Sequence, residues 1–173
     1  MKVYLDMDGV IADFHAVYSQ HVPEPGYNRA RFHDLVLKHR IFERLPQMPN
    51  AGRLLQLLFV DLAVPVEILS SLGTHHIDVS NAAARQKTKW LQDQGIEIPA
   101  NFVKSWAYKH EFATPTSIMI DDRADVIENF RAAGGLGVLY NDKHWDTAER
   151  DIRSAVTRAK QRIYLEEKNS VPN

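Results

Sequence analysis

The sequence predicts an α/β fold with a doubly wound, parallel five-stranded sheet covered by helices. Short apolar segments rich in strand-forming residues alternate along the chain with longer segments of helical periodicity. Most of the short segments are continuously apolar, which indicates parallel strands that are buried on both faces. In such folds ligands bind beside the carboxyl ends of the strands, so polar residues at those ends are candidates for a functional site.

Composition and charge limit the class of protein. The chain has 173 residues, 45% hydrophobic and 25% charged, which is typical of one soluble domain with a small insertion. The formal net charge of −1 argues against a general binder of extended nucleic acid or of membrane surfaces. The absence of cysteine excludes a disulfide, a thiolate zinc site and a cysteine nucleophile. Because the sequence has no signal-peptide pattern and no apolar run of roughly 20 residues, we expect a cytoplasmic protein without a membrane partner.

The first part of the chain predicts one strand followed by a small helical insertion. Lys2–Leu5 forms a strand that stops at Asp6, and Asp13 caps a short helix through Ser19. The chain is then interrupted at Pro23, Pro25 and Gly26. Asn28 caps a second helix, in which four residues recur at helical spacing: Phe32, Leu35, Val36 and His39.

The rest of the chain predicts the body of the sheet. Pro46 and Pro49 end the insertion, so residues 14–49 are predicted to form a helical cap, with residues 1–13 and 50–173 as the core. Strands are expected over 64–69, 102–106, 117–120 and 136–140. Helices are expected over 51–62 after an Asn50 cap, from Ser80 or Asn81 to Gln94, over 124–133, and over 147–168.

Two carboxylates follow the first strand. Asp6 and Asp8 share a face if the strand continues, and Gly9 lets the chain turn sharply after them. Carboxylates this close repel each other unless one is protonated or a cation lies between them. A hard divalent metal such as Mg²⁺ is one solution, and a pair of solvated acids at a strand end is the simpler alternative.

Other strand ends carry related side chains. Ser70 follows the second strand, and Asp121 and Asp122 follow the fourth. Because parallel strands end at one edge of the sheet, these residues are expected to converge with Asp6. This convergence favours a metal site over a pair of solvated acids.

The same residues resemble the motifs of the haloacid dehalogenase superfamily of phosphohydrolases. Asp6–Val10 is similar to its first motif, Ser70 to its second, Lys109 to its third, and Asp121 with Asp122 to its fourth. The chain is most similar to the 5'(3')-deoxyribonucleotidase family, through Asp6 to Phe14 and through the block Ile120-Asp121-Asp122-Arg123-Ala124. The resemblance covers the core well and the insertion poorly. It implies a Rossmann-like core with a cap.

The resemblance also implies catalytic roles. Asp6 would attack phosphorus to form an aspartyl-phosphate, and Asp8 would act as general acid and base. Lys109 would balance the charge of the transition state, with Lys104 as the alternative lysine. Four acids would serve Mg²⁺: Asp6 and Asp122 through their carboxylates, Asp8 through its backbone carbonyl, and Asp121 from behind these ligands.

Substrate contacts follow from the same resemblance. They are Ser70, Ser71, Lys87, Arg123 and Phe14. Ser71 is equally well explained as a loop residue and Lys87 as part of a solvated helix face. Arg123 at a helix start is also ordinary.

The resulting function is a Mg²⁺-dependent phosphomonoesterase for a small phosphate ester, with a (deoxy)nucleoside monophosphate as the leading substrate. One alternative is a phosphatase for another small metabolite or for a nucleic-acid terminal phosphate. A phospho-acceptor regulatory domain is another alternative. In such a domain an acid pair lies on the first strand and the acceptor aspartate on the third, whereas this chain has Asp6 and Asp8 after its first strand and its acid pair, Asp121 and Asp122, after its fourth. The sequence does not address the oligomeric state.

Overall fold

The computed structural model describes residues 1–22 and 27–169 and confirms the parallel α/β fold. The interruption predicted at Pro23, Pro25 and Gly26 lies outside the described residues. All strand pairs are parallel, in the order β3-β2-β1-β4-β5. The strands are β1 (Lys2–Leu5), β2 (Val66–Ser71), β3 (Ala100–Val103), β4 (Ser117–Asp121) and β5 (Leu136–Leu139).

Helical elements connect the strands. The α-helices are α1 (Phe14–His21), α2 (Arg29–Leu37), α3 (Ala51–Gln56), α4 (Ile77–Asp93), α5 (Ala124–Ala132) and α6 (Trp145–Asn169). A π-helical stretch, Leu57–Asp61, continues α3, and 3₁₀ turns cover Ile41–Arg44, Trp106–Phe112 and Asp142–His144. None of the helices in the described part of the chain is both long and apolar enough to cross a bilayer.

The sheet is covered on both faces because alternate residues of its central strand enter different cores. Val3 and Leu5 are fully buried in the larger core, which α4, α6 and the inserted helices complete. Tyr4 points to the smaller core and meets Phe130 of α5 edge to face, with ring centroids 6.4 Å apart. This two-sided burial is the reason that β1 and β4 contain the uninterrupted apolar runs Val3–Leu5 and Ile118–Ile120.

The strand order reverses between β1 and β4. The chain proceeds from β1 outward to β2 and β3, then returns to the other side of β1 as β4. Leu5 pairs with Ile120, and the Asp6 N–H donates to the Ile120 carbonyl over 3.0 Å. Asp6 and Asp121 therefore lie side by side at the crevice where such folds bind ligands.

The inserted segment between β1 and α3 is bonded to α4 by buried contacts. The Gln86 side-chain amide donates to the Val36 carbonyl over 2.7 Å, and the Trp90 indole donates to the Leu45 carbonyl over 2.7 Å. Both acceptors lie in the segment 14–49 that was predicted as a cap, and both donors lie on the core helix α4. Burying these groups without partners would be costly, so the contacts fix the insertion against the sheet domain.

The helix caps were predicted with mixed success. The Ala16 N–H donates to Asp13 and the Arg31 N–H donates to Asn28, which confirms both caps. Asn50 occupies the predicted N-cap position of α3, but its side chain makes no capping hydrogen bond, and its amide donates to the Asp142 carbonyl instead. The Ser80 or Asn81 cap is wrong: α4 begins at Ile77, one turn earlier.

Two strands are shifted from their predicted positions. The second strand was expected over 64–69 and lies over Val66–Ser71, because Pro65 precedes the first paired residue. The third was expected over 102–106 and lies over Ala100–Val103, where its pairing with β2 places it. Both shifts bring Ser70 and Ser71 into the sheet, paired with the end of β3.

Candidate active site

Three carboxylates converge where β1 and β4 end. One oxygen from each of Asp6, Asp121 and Asp122 lies within 4.8 Å of the other two. Asp121 is fully buried and Asp6 is 5% exposed, whereas Asp122 is exposed. Negative charges this close in a buried crevice repel one another, so the cluster requires protons or a cation.

Lys109 supplies one positive charge to the cluster. Its Nζ donates to Asp121 Oδ2 over 2.7 Å and lies 2.8 Å from Asp6 Oδ1. The 3₁₀ turn Trp106–Phe112 carries it inward, so that Lys109 is only 1% exposed. Lys104, the alternative lysine, is exposed on the cavity wall and forms no ion pair among the described residues. Lys109 is therefore the lysine that faces the acids.

The crevice perturbs the pKa of both acids at the end of β4, Asp121 and Asp122. Burial, with the nearby Asp6 charge, raises the pKa of Asp121 to about 7, although Lys109 opposes the shift. Asp122 is exposed as a residue, but its carboxylate lies in the same crevice, where desolvation and the Asp6 charge raise its pKa to about 6. Burial would lower the pKa of Lys109, but the Asp6 and Asp121 charges outweigh it and raise this pKa. Without a cation, the cluster therefore shares protons near neutral pH.

The donor set fits a hard divalent cation. All the converging groups are carboxylates, the ligands that Mg²⁺ prefers in proteins. Asp121 already receives the Arg123 N–H at its other oxygen, over 2.9 Å, so this side chain is the most completely bonded of the cluster. Asp6 Oδ1, by contrast, is buried, and its one described partner is the Lys109 ammonium 2.8 Å away, in a contact that does not have the geometry of a hydrogen bond. Asp6 and Asp122 thus have the more available oxygens.

A tight loop carries Asp8 to the same place. The Met7 carbonyl accepts the N–H groups of Ile11 and Ala12, over 3.0 and 2.9 Å. Gly9 has φ +78°, and a Cβ there would collide with the Asp122 carboxylate. Glycine is therefore required at position 9 both for the turn and for the close approach of this loop to Asp122 at the end of β4.

Asp8 is held by a second buried lysine. Lys87 Nζ, on α4, lies 2.5 Å from Asp8 Oδ2 and donates to Ser70 Oγ over 2.9 Å. Burial raises the pKa of Asp8, Lys87 opposes the shift and the Asp6 charge adds to it. Asp8 Oδ1 is buried and has no hydrogen-bond partner. The Asp8 side chain as a whole is about a quarter exposed and lines a cavity.

A cavity of about 770 Å³ opens above these acids. Among the described residues, the acids that line it are Asp6, Asp8 and Asp122. Its apolar wall is aromatic: Phe14 stacks on Phe42 with centroids 5.5 Å apart, and Phe32 meets Phe14 edge to face. Many of the other lining residues carry basic side chains: His15, Arg29, His33, His75, His76, Lys104, Lys109 and Arg123.

Only some of the residues predicted to contact substrate line this cavity. Phe14, Ser71 and Arg123 line it, whereas Ser70 and Lys87 lie beneath it, bonded to each other. Ser71 Oγ accepts the Gly73 N–H over 3.1 Å. The Arg123 guanidinium lies 4.5 Å from the Trp106 ring and pairs with Asp125.

Phe42 and the His33–Thr74 contact were missed by the sequence analysis. Phe42 lies in a short 3₁₀ turn whose apolar residues show no period, and its stacking on Phe14 comes only from the fold. His33 Nε2 lies 3.1 Å from Thr74 Oγ1, which joins the inserted helix α2 to the loop after β2. The neighbouring Phe32-His33 pair was the one available signal.

The fold and the site define a parallel α/β protein with an acid–lysine cluster at the point where its strand order reverses. Comparison with known proteins gave no match to a family model and none to a curated protein. The chemistry of the site is therefore inferred from its residues.

Proposed function

We propose that the protein is a Mg²⁺-dependent phosphomonoesterase that works through an aspartyl-phosphate on Asp6. The observation that carries the proposal is the convergence of Asp6 with Asp121, Asp122 and Lys109 beneath a cavity that Asp8 also lines. An attacking carboxylate, a proton donor and a buried cation are the groups that phosphoryl transfer to an acid requires.

Asp6 and Asp122 would hold the metal, with Asp121 behind them and bonded to Lys109. Bound Mg²⁺ supplies charge neutralisation and orientation of the phosphoryl group. The Lys109 ammonium adds a fixed positive charge 2.8 Å from Asp6, where negative charge accumulates as the reaction proceeds. Its burial keeps that charge from being screened by water.

The reaction divides into two displacements at phosphorus. An Asp6 oxygen attacks, the ester P–O bond breaks, and Asp8 gives its proton to the departing alkoxide. A water molecule then attacks the aspartyl-phosphate and gives a proton to Asp8. The bond between phosphorus and Asp6 breaks, which releases inorganic phosphate and restores both carboxyl groups to their starting states.

The cavity favours a small ester with an aromatic leaving group. Its volume of about 770 Å³ lies within the about 300–1,000 Å³ typical of small-molecule sites. Stacked Phe14 and Phe42 offer an apolar face for a planar base, and the basic wall suits an anionic ligand. A (deoxy)nucleoside monophosphate meets both requirements, and another small phosphate ester is the alternative substrate.

Phosphate release tests this function directly. We expect Mg²⁺-dependent release from ribo- and deoxynucleoside monophosphates, and slower release from sugar phosphates that cannot stack. EDTA should abolish the activity and Mg²⁺ restore it, whereas Ca²⁺, which is larger and more loosely coordinated, should restore little. Absence of release from every ester, or full activity in the chelator, would contradict the proposal.

The acid cluster also predicts a pH-dependent response to Mg²⁺. In the folded, metal-free protein the pKa is about 7 for Asp121 and about 6 for Asp122, whereas in the unfolded chain both are about 3.8. Between these pH values the folded protein keeps protons on the two carboxyl groups that the unfolded chain has released. Unfolding therefore releases protons in this window, and these two groups make the metal-free protein less stable as the pH rises. Mg²⁺ replaces the protons, so the rise in Tm on adding it should be larger at about pH 7.5 than at about pH 5.5.

Thermal unfolding with and without Mg²⁺ at both pH values measures this difference. The Asp122→Asn variant should show a smaller Mg²⁺-induced shift and a weaker dependence on pH. An equal or larger shift at the lower pH would show that the cluster does not exchange protons for the cation.

A further inference from the structure

Lys87 is a fully buried lysine that does not line the cavity. It lies on α4, and its ammonium reaches through the core to Asp8, 79 positions earlier in the chain. A buried lysine is rare unless it is paired, because removing its charge from water is costly and only a partner of opposite charge offsets that cost. Its position beneath the cavity indicates a role other than direct contact with substrate.

The ammonium is held from three sides. It contacts Asp8 Oδ2 at 2.5 Å, donates to Ser70 Oγ over 2.9 Å, and lies 4.5 Å from the centroid of the Phe42 ring. An ammonium has three N–H donors, and these contacts leave no side of it free to turn toward a ligand. The Lys87 ammonium is therefore held in one position.

The Lys87 ammonium binds only one oxygen of the Asp8 carboxylate. Oδ2 is bound to the lysine, whereas Oδ1 is buried without a hydrogen-bond partner. Rotation of the Asp8 side chain would change the direction in which its carboxyl group meets the cavity. The ion pair opposes this rotation because turning the carboxylate would break a partly buried, charge-assisted hydrogen bond.

We propose that Lys87 is a positioning residue for Asp8: by binding Oδ2 it fixes the orientation of the carboxyl group that exchanges the proton with the leaving group. The inference rests on the proposed phosphatase function and assigns to Lys87 a role in proton transfer rather than in substrate binding. Phe42 connects this role to the cavity, since the same ring stacks on Phe14 in the aromatic wall.

The Lys87→Met variant tests the proposal through the leaving group. For a nucleoside monophosphate, whose alkoxide must be protonated, kcat/KM is expected to fall about 100-fold, within the usual range for general acid catalysis. For p-nitrophenyl phosphate, whose leaving group needs no proton, the fall should be less than about tenfold. KM should change little for either substrate because the substrate does not touch Lys87. A lysine with a purely structural role would lower both rates alike.

Two further variants complete the test. In an Asp8→Asn background, Lys87→Met should add at most about threefold, because no carboxylate remains to be positioned. Lys89→Met, on the exposed side of the same helix in an ion pair with Asp93, should retain wild-type rates. Lys87→Gln keeps an N–H donor and covers the case in which methionine prevents folding; it should show the same leaving-group dependence with a smaller loss.

The outcomes separate this inference from the proposed function. A wild-type protein that releases no phosphate from any ester would overturn both. An active wild type in which Lys87→Met slows both leaving groups equally, or multiplies the defect of Asp8→Asn, would overturn the role of Lys87 and leave the phosphatase assignment intact.

Discussion

Replacing Asp6 with asparagine is expected to abolish turnover while leaving the fold unchanged. The amide has the shape of the carboxyl but cannot attack phosphorus as an anion, so kcat should fall by at least about 10³-fold. The substitution also removes a negative charge from a crowded cluster, in which Asp6 is a cause of the raised pKa of both Asp121 and Asp122. The Tm of the metal-free variant should therefore not fall below that of the wild type.

Phosphate release and thermal unfolding, measured on the same preparation, check both parts of this result. Asp13→Asn is the matched control: it makes the same chemical change seven positions later, and asparagine also caps helices, so α1 is preserved. Turnover by Asp6→Asn within about tenfold of the wild type would mean that another group attacks phosphorus.

The central part of the sheet could be predicted because its burial does not depend on details of pairing. β4 is fully buried and its three central residues are apolar, so hydrophobicity alone marks Ile118, Met119 and Ile120 as a strand. The edge strand β3 is different, because its residues are half-exposed or exposed and its register is set by pairing with β2. No sequence pattern carries that register, and the predicted strand was displaced accordingly.

The acid cluster could be predicted for a related reason. Asp6 and Asp121 directly follow the predicted ends of apolar runs, and the parallel order of β1 and β4 brings them together. The two lysines depend instead on long-range packing. Both were named only from the family resemblance, because Lys109 enters the cluster through a 3₁₀ turn that local periodicity did not predict, and Lys87 through the packing of α4 against the loop after β1. Contacts between side chains that are far apart in sequence cannot be predicted from the local spacing of residues.

Removal of the Lys109 charge is expected to have the second large effect. Lys109→Met leaves Asp6 and Asp121 buried without their cation, which should destabilise the metal-free protein by about 3–5 kcal/mol. Turnover should fall by about 10²–10³-fold, because a fixed charge beside the reacting phosphoryl group is lost. Mg²⁺ binding, however, should not weaken: removing a positive charge from the cluster makes the site more attractive to a cation.

The Mg²⁺-induced rise in Tm separates these effects, and it should be at least as large in Lys109→Met as in the wild type. Lys104→Met removes an exposed lysine from the wall of the same cavity and should keep both wild-type stability and the response to Mg²⁺. If Lys109→Met instead lost its response to Mg²⁺ while remaining folded, Lys109 would be needed to arrange the metal ligands. The charge-balancing role would then be wrong, because a lysine that only supplies charge competes with the ion for the same carboxylates.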